Sequence, residues 1–144
     1  MNKKLRVLIV EDSADDAEFL LHELRSGGYE PLSKRVDTHD AMADALKEKT
    51  WDVIISDFAM PHFNGLEALK LLGSNGLDIP CIIVSGKIGE DIAVELMKAG
   101  ANDYVMKGNL KRLASAIERE LADAEVRLER KRAEGQIVRL NSVL

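Results

Sequence analysis

The chain has 144 residues, 46% of them hydrophobic, and a formal net charge of −5, which fits one acidic domain with room for an appendage. Nucleic-acid binding by this chain is not expected, because it needs a basic face to neutralise phosphates, and no segment approaches the ~20 apolar residues of a membrane span. The single cysteine, Cys81, permits no disulfide within the chain, and the first residues lack the apolar segment of a signal peptide, so we expect a cytoplasmic protein.

Short apolar segments and amphipathic segments alternate five times along the chain. The apolar segments are rich in Val and Ile, which is typical of buried strands. They are Leu5–Val10, Tyr29–Val36, Val53–Ser56, Cys81–Val84 and Asn102–Met106. Tyr29–Val36 is more polar than the others and is predicted to lie at an edge. The alternation predicts a parallel sheet covered by helices on both faces.

Caps and apolar spacing predict the helices between the strands. Ser13 and Thr38 precede the first and second helices as N-cap residues. The first helix is predicted to end at Gly27-Gly28. The fourth helix is predicted to turn four side chains toward the sheet: Ile92, Ala93, Leu96 and Met97.

The last helix is predicted to start near Asn109 and to be longer than the domain needs. Its apolar residues recur at spacings of three and four: Leu110, Leu113, Ile117, Leu121, Ala124 and Leu128. We therefore predict a domain over residues 1–121 and an extended helical tail over residues 122–144. The spacing favours a coiled-coil-like stalk that pairs with a partner helix or forms a homodimer, although Lys131 falls on the stripe and Gly135 interrupts it.

Polar residues follow four of the predicted strands. Glu11 and Asp12 follow the first, Asp57 the third, Ser85 the fourth and Lys107 the fifth. The carboxyl ends of parallel strands lie along one edge of a sheet, so these side chains should converge there. Crowded carboxylates repel one another unless a cation lies among them, and oxygen ligands suit Mg²⁺. The sequence therefore predicts a Mg²⁺ site at this edge.

Four motifs, in order and well spaced, resemble the receiver domain of two-component response regulators. They are Leu5–Asp12 (LRVLIVED), Ser56–Pro61 (SDFAMP), Ile83–Gly86 (IVSG) and Gly100–Lys107 (GANDYVMK). The resemblance covers about Lys3–Leu121. It implies an α/β fold in which a five-stranded parallel sheet of strand order 2-1-3-4-5 is doubly wound with helices, followed here by an extended C-terminal helix.

The resemblance also implies the site. Asp57 would be the phosphoacceptor for a phosphoryl group from a sensor histidine kinase or phosphotransfer protein. Asp12 would bind Mg²⁺ directly and Glu11 through water. Asp57 and the backbone carbonyl of Ala59 would complete the protein ligands.

The remaining implied roles concern the phosphorylated state. Lys107 would pair with the phosphoryl oxygens and Ser85 would hydrogen-bond to them. Tyr104 would change rotamer on activation. In the family, the fourth helix, the fifth strand and the fifth helix form one face. This face would then pass the change into the long C-terminal helix. The chain would catalyse only its own phosphorylation and dephosphorylation.

Two residues depart from the family pattern, and two further positions carry an expectation. Glu11 is one methylene longer than the more frequent aspartate and should still serve, since that position is thought to act through water. Gly108 stands where the family usually has proline, and since a non-proline cis bond costs about 2.5–4 kcal/mol, we predict a trans bond or an altered turn there. Ala59 and Lys87 occupy positions that tune autodephosphorylation in the family. Neither has a carboxylate or amide, which predicts a long-lived phosphoryl group.

Three alternatives remain beside this interpretation. A pseudo-receiver would use the same fold only as a protein-interaction scaffold. A Mg²⁺-dependent phosphohydrolase would also use an aspartate nucleophile, but such enzymes usually carry an acid two residues later, where this chain has Ala59. A nucleotide-binding module is disfavoured because the chain lacks both common glycine-rich phosphate-binding motifs.

Overall fold

The computed structural model describes residues 3–86 and 89–143, which form five alternations of strand and helix. The strands are β1 (Lys3–Val10), β2 (Tyr29–Val36), β3 (Val53–Asp57), β4 (Cys81–Ser85) and β5 (Asp103–Met106). The helices are α1 (Ala14–Ser26), α2 (His39–Glu48), α3 (Gly65–Ser74), α4 (Glu90–Lys98) and α5 (Leu113–Val143). A 3₁₀ segment, Lys107–Arg112, joins β5 to α5.

All strand pairs are parallel, and the sheet has the order β2-β1-β3-β4-β5. This confirms the predicted fold class, including the long C-terminal helix. Every residue of β3 and β4 is buried, since these central strands are covered on both faces. β2 is largely exposed between its ends and lies at the edge, as its polar sequence predicted.

The core has two layers, one on each face of the sheet. Alternate residues of a strand point to opposite faces, so Ile54 and Ile55 enter different layers. One layer is closed by α2, α3 and α4 and contains the fully buried Phe63. The other is closed by α1 and α5 and contains Leu24 and Leu113. Together the layers fix the strands and leave their carboxyl ends open for the site.

Side-chain caps fix where three helices begin. Ser13 accepts a hydrogen bond from the Asp16 backbone N–H at 3.2 Å, and Thr38 caps α2 in the same way. Both predicted caps are therefore confirmed. Asn64 and Glu67 form a reciprocal capping box at the start of α3, which anchors the loop that follows Asp57.

Three details of the helices differ from the sequence predictions. Met97 was predicted to face the sheet, but it is 44% exposed, whereas Leu96 is 1% exposed. Because β5 is the last strand of the sheet, α4 has no further strand to cover, and Met97 extends beside Tyr104 at the sheet edge. α5 begins at Leu113 rather than near Asn109, because Asn109 has non-helical dihedral angles. Gly135 does not end the helix.

The long helix contacts the rest of the domain at two places along its length. Leu113 and Ile117 are buried against the sheet. Farther along, Arg127 binds the carboxylate of Asp78, in the loop before β4, at 3.0 and 3.2 Å. Nearby Leu128 is 48% exposed and lines a recess with Trp51 and Asp78, so this part of the helix keeps accessible apolar surface beside the domain. None of the helices in the described part of the chain has the length and apolar character needed to cross a membrane.

Gly27 is a point where α1 and α5 approach too closely for a side chain. A Cβ at Gly27 would collide with the Ala114 side chain, so we expect Gly27→Ala to lower the free energy of unfolding by about 1–3 kcal/mol through overpacking. At Gly73, within α3, a Cβ would meet no atom of the described residues within 4 Å. Gly73→Ala should therefore be neutral or stabilise by up to about 1 kcal/mol. Urea denaturation measures both, and equal effects of the two substitutions would contradict the packing argument.

Candidate functional site

Three carboxylates meet at the carboxyl edge of the sheet. β1 pairs with β3 so that Val10 lies opposite Ser56, which places the following residues, Glu11 and Asp57, side by side. Asp12 comes next in the chain. One carboxylate oxygen from each of the three lies within 4.8 Å of the others. Glu11 and Asp57 are buried and Asp12 is exposed, so the predicted convergence of the three acids is found in the fold.

Backbone contacts hold Glu11 in place. Its N–H donates to the Val36 carbonyl on β2 at 2.9 Å. The Arg35 guanidinium donates to the Glu11 carbonyl at 3.2 Å. The strand end that carries two of the three acids is therefore fixed by the neighbouring strand. The side chain of Glu11 has little freedom to move away from Asp57.

The Glu11 carboxylate is 1% exposed, and its Oε2 atom has no hydrogen-bond partner among the described residues. Burial, followed by the nearby Asp57 carboxylate, raises the pKa of Glu11 from 4.5 to about 8. Lys107 acts in the opposite direction but does not cancel these effects. Near neutral pH, Glu11 therefore holds a proton unless a cation takes its place.

Lys107 reaches three carboxylates from the end of β5. Its Nζ lies 2.8 Å from Asp16 Oδ2, 3.5 Å from Glu11 Oε1 and 3.6 Å from Asp57 Oδ2. Burial alone would lower the pKa of Lys107, but the three carboxylates raise it overall, so the amine stays charged. The predicted meeting of Lys107 with the strand-end acids is found.

The other predicted site residues occupy the same edge or the adjoining face. Ser85 is the last residue of β4 and is 3% exposed, and the residue before it pairs with Asp57. Ala59 lies two residues beyond β3, with an exposed side chain. Tyr104 is half-buried on β5 and lines a groove with residues of α4, including Val94 and Met97. The roles assigned to these residues remain predictions.

The expectations that were based on Gly108 and on Lys87 have different outcomes. The Lys107–Gly108 bond is trans, since the described residues contain no cis peptide bond, and Gly108 lies within the 3₁₀ segment. The predicted trans bond is therefore present. Lys87 lies outside the described residues.

Sequence reasoning missed the part that Asp16 plays. Asp16 was interpreted only as an acid favoured by the first turn of a helix. In the structure it is the closest carboxylate to Lys107. One signal in the sequence could have revealed this contact: α1 begins at the same edge of the sheet as the site. The phase of α1, which decides whether Asp15 or Asp16 faces that edge, comes from the packing of the helix.

A cavity of about 280 Å³ opens beside these charged groups. Phe19, Leu20 and Leu110 form its apolar wall, and Glu11, Asp16, Asp57 and Lys107 form part of the rest. The site is thus a buried Asp57 carboxylate with Lys107 and three further acids, Glu11, Asp12 and Asp16, around it, next to an apolar recess.

The family comparison accounts for this arrangement. The family model described as "Response regulator receiver domain" matches residues 7–118, which is most of the chain and includes Glu11, Asp12, Asp57 and Lys107. The chain belongs to this family. The resemblance noted from the four motifs is thereby confirmed.

Individual relatives agree with the family assignment. The chain is 32% identical over 120 residues to the transcriptional regulatory protein ZraR of Salmonella typhimurium, a match that spans 83% of this chain and 27% of that protein. It is 29% identical over 104 residues to the phosphate regulon transcriptional regulatory protein PhoB of Escherichia coli, across 71% of this chain and 44% of that protein. The chain thus spans less than half the length of these curated relatives.

A solved structure shows the same likeness. The signal receiver domain of a signal transduction histidine kinase from Syntrophus aciditrophicus is 31% identical, with a TM-score of 0.68. The match covers 83% of this chain and 91% of that one. The likeness to this receiver domain therefore extends over most of the chain.

The raised pKa of Glu11 gives the metal-free receiver domain a pH-dependent stability. Between about pH 5 and pH 8 the unfolded chain has lost this proton while the folded protein keeps it, so stability falls as the pH rises. We expect Glu11→Gln to remove this fall, which for one proton is at most about 1.4 kcal/mol per pH unit. Urea denaturation in a chelator at several pH values measures the difference from wild type.

The exposed Glu18, on α1, offers a matched control. Glu18→Gln should change stability equally at each pH within this range. A difference between wild type and Glu11→Gln that stays constant from about pH 5 to pH 8 would contradict the assignment of a raised pKa to Glu11.

Proposed function

We propose that this receiver domain takes a phosphoryl group onto Asp57 from a histidine of a sensor kinase or phosphotransfer protein. The observation that supports this most strongly is the position of Asp57: it is 7% exposed, clustered with Glu11 and Asp12, and 3.6 Å from the Lys107 amine. A single carboxylate nucleophile with a cation and a metal-binding acid pair beside it suits phosphoryl transfer.

We also propose that the acids hold Mg²⁺. Asp12, Asp57 and the backbone carbonyl of Ala59 would bind the ion, and Glu11 would act through water. The fit rests on the chemistry of the three clustered carboxylates and on Glu11 Oε2, which lacks a donor within the described part of the chain. When bound, Mg²⁺ supplies positive charge that offsets the repulsion between these carboxylates and an anionic donor.

The residues of the chain would act as follows. An Asp57 carboxylate oxygen forms a bond to phosphorus while the phosphorus–nitrogen bond of the donor breaks, and the electron pair leaves with the histidine ring. Lys107 offsets charge on the phosphoryl oxygens, and the Ser85 hydroxyl donates a hydrogen bond to one of them. The burial of Asp57 limits access by water.

We infer that the phosphorylated state is transmitted through Tyr104 to α5. Tyr104 lines the groove beside α4, and its backbone carbonyl accepts a hydrogen bond from Arg112, at the end of the 3₁₀ segment. Arg112 also binds Asp103 at 3.2 Å. A displacement of the β5 backbone at Tyr104 would therefore reach the start of α5 through Arg112.

The output proposed for the tail is pairing of α5 with a second copy of the chain or with a partner helix. Val126 and Leu128 are each about half exposed on different sides of α5, so each leaves apolar surface that a second helix could cover. We place the protein in the cytoplasm, because a free cysteine at the buried Cys81 suits a reducing compartment. Binding of nucleic acid by this chain is not part of the proposal.

We infer that the chain is not a phosphomonoesterase. Phosphohydrolases with an aspartate nucleophile usually carry a general acid two residues after the nucleophile, and this position is the exposed Ala59. The reaction would therefore stop at one phosphoryl group per chain and then reverse or hydrolyse slowly.

Phosphorylation is tested by intact mass. After incubation with Mg²⁺ and acetyl phosphate, we expect one hydroxylamine-labile phosphoryl group on wild type and none on Asp57→Asn. The control is Asp44→Asn, an exposed position on α2, which should be labelled like wild type. If wild type gains no phosphoryl group from acetyl phosphate or from phosphorylated histidine phosphotransfer domains, the proposal is wrong and the scaffold alternative gains support.

The metal assignment is tested by thermal unfolding. Mg²⁺ that binds only the folded protein should raise the melting temperature by a few degrees, in a concentration-dependent way. Asp12→Asn should lose most of this increase, whereas Asp15→Asn, an exposed acid on the first turn of α1, should keep it. An equal response of both variants to Mg²⁺ would show that the ion binds elsewhere.

A further inference from the structure

The Lys107 ammonium is nearest to an acid that lies outside the predicted phosphorylation machinery. Asp16 Oδ2 is 2.8 Å from Nζ, whereas the oxygens of Glu11 and Asp57 are 3.5 and 3.6 Å away. Asp16 lies on the first turn of α1, and its side chain is 40% exposed. In the unphosphorylated protein, therefore, the lysine makes its shortest ion pair with α1 and a longer one with Asp57.

A phosphoryl group on Asp57 needs the same ammonium. The phosphoryl oxygens would carry more negative charge than the Asp57 carboxylate that they replace, so they attract Lys107 more strongly. To reach the phosphoryl oxygens, Lys107 has to give up its shorter contact with Asp16. Asp16 also adds a negative charge to the pocket that an anionic donor has to enter.

We propose that Asp16 is a positioning residue that holds Lys107 in the unphosphorylated protein and competes with the phosphoryl group on Asp57 for the lysine. This inference rests on the proposed function. Asp16 thereby slows phosphorylation and favours the unphosphorylated arrangement. The residue takes no part in bond formation or cleavage.

The contact also links two elements of the fold. Asp16 lies on α1, and Lys107 begins the 3₁₀ segment that leads to α5. Leu20 of α1 and Leu110 of the 3₁₀ segment line the same cavity. The Asp16–Lys107 pair therefore spans this cavity, and transfer of the lysine to a phosphoryl group breaks one tie between α1 and the entry to α5.

The kinetic test compares Asp16→Asn with Asp15→Asn. The two substitutions remove the same charge from the same helical turn, but Asp15 is exposed and Asp16 contacts Lys107. With acetyl phosphate and Mg²⁺, we expect Asp16→Asn to raise the maximal rate of Asp57 phosphorylation by about two- to fivefold, the range for a partly exposed ion pair. Asp15→Asn should leave the rate unchanged, and Asp16→Glu should restore the wild-type rate.

Measuring the rate across donor concentrations separates positioning from a general charge effect. Release of Lys107 raises the maximal rate, whereas weaker repulsion of the donor alone lowers the half-saturating concentration. An Asp16→Asn variant that phosphorylates at the wild-type rate or more slowly would overturn the inference. So would equal acceleration by Asp15→Asn.

A second measurement does not require phosphorylation. A double-mutant cycle of Asp16→Asn and Lys107→Met, measured by urea denaturation of the unphosphorylated protein, gives the coupling between the two side chains. We expect a favourable coupling of about two- to fivefold in the unfolding equilibrium constant. Zero coupling overturns the inference even if Asp57 is phosphorylated, and failure of wild type to be phosphorylated alongside clear coupling overturns the proposed function instead.

Discussion

The parallel register between β1 and β3 is the constraint on which the site depends. It sets Glu11 beside Asp57 at the open edge of the sheet, where both are almost completely buried. Burial of two neighbouring carboxylates is unfavourable unless a proton or a cation compensates for their charge. The fold supplies one cation directly, Lys107, and leaves Glu11 Oε2 without a donor among the described residues. The raised pKa of Glu11 means that a proton compensates for the remaining charge in the metal-free protein.

The rest of the domain maintains this arrangement. Two hydrophobic layers clamp the sheet, and β2 fixes the backbone of Glu11 through Val36 and Arg35. The cost of crowding the acids is thus offset by packing that lies away from them.

Two chains of contacts lead from the site toward α5. One passes through Lys107 into the 3₁₀ segment, and the other through Tyr104 and Arg112. Arg112 shares the buried Asp103 with Arg119, so the start of α5 is bound to β5 by ion pairs. Near its middle, α5 is held again by Arg127 and Asp78. α5 is therefore anchored to the domain at two points along its length.

The sequence alone determined the strands and the meeting of the strand-end residues. Through the family resemblance it also determined the order of the strands in the sheet. Continuous apolar runs of β-branched residues that alternate with helices favour strands buried on both faces of a parallel sheet, and the parallel arrangement brings Glu11, Asp57 and Lys107 to one edge. Only the tertiary structure decided which helix faces turn inward. Met97 lies outside because the sheet ends at β5, and Asp16 rather than Asp15 meets Lys107 because the packing of α1 sets its rotation. The spacing of residues within a helix limits its rotation to a range, and contacts with distant parts of the chain select one value within that range.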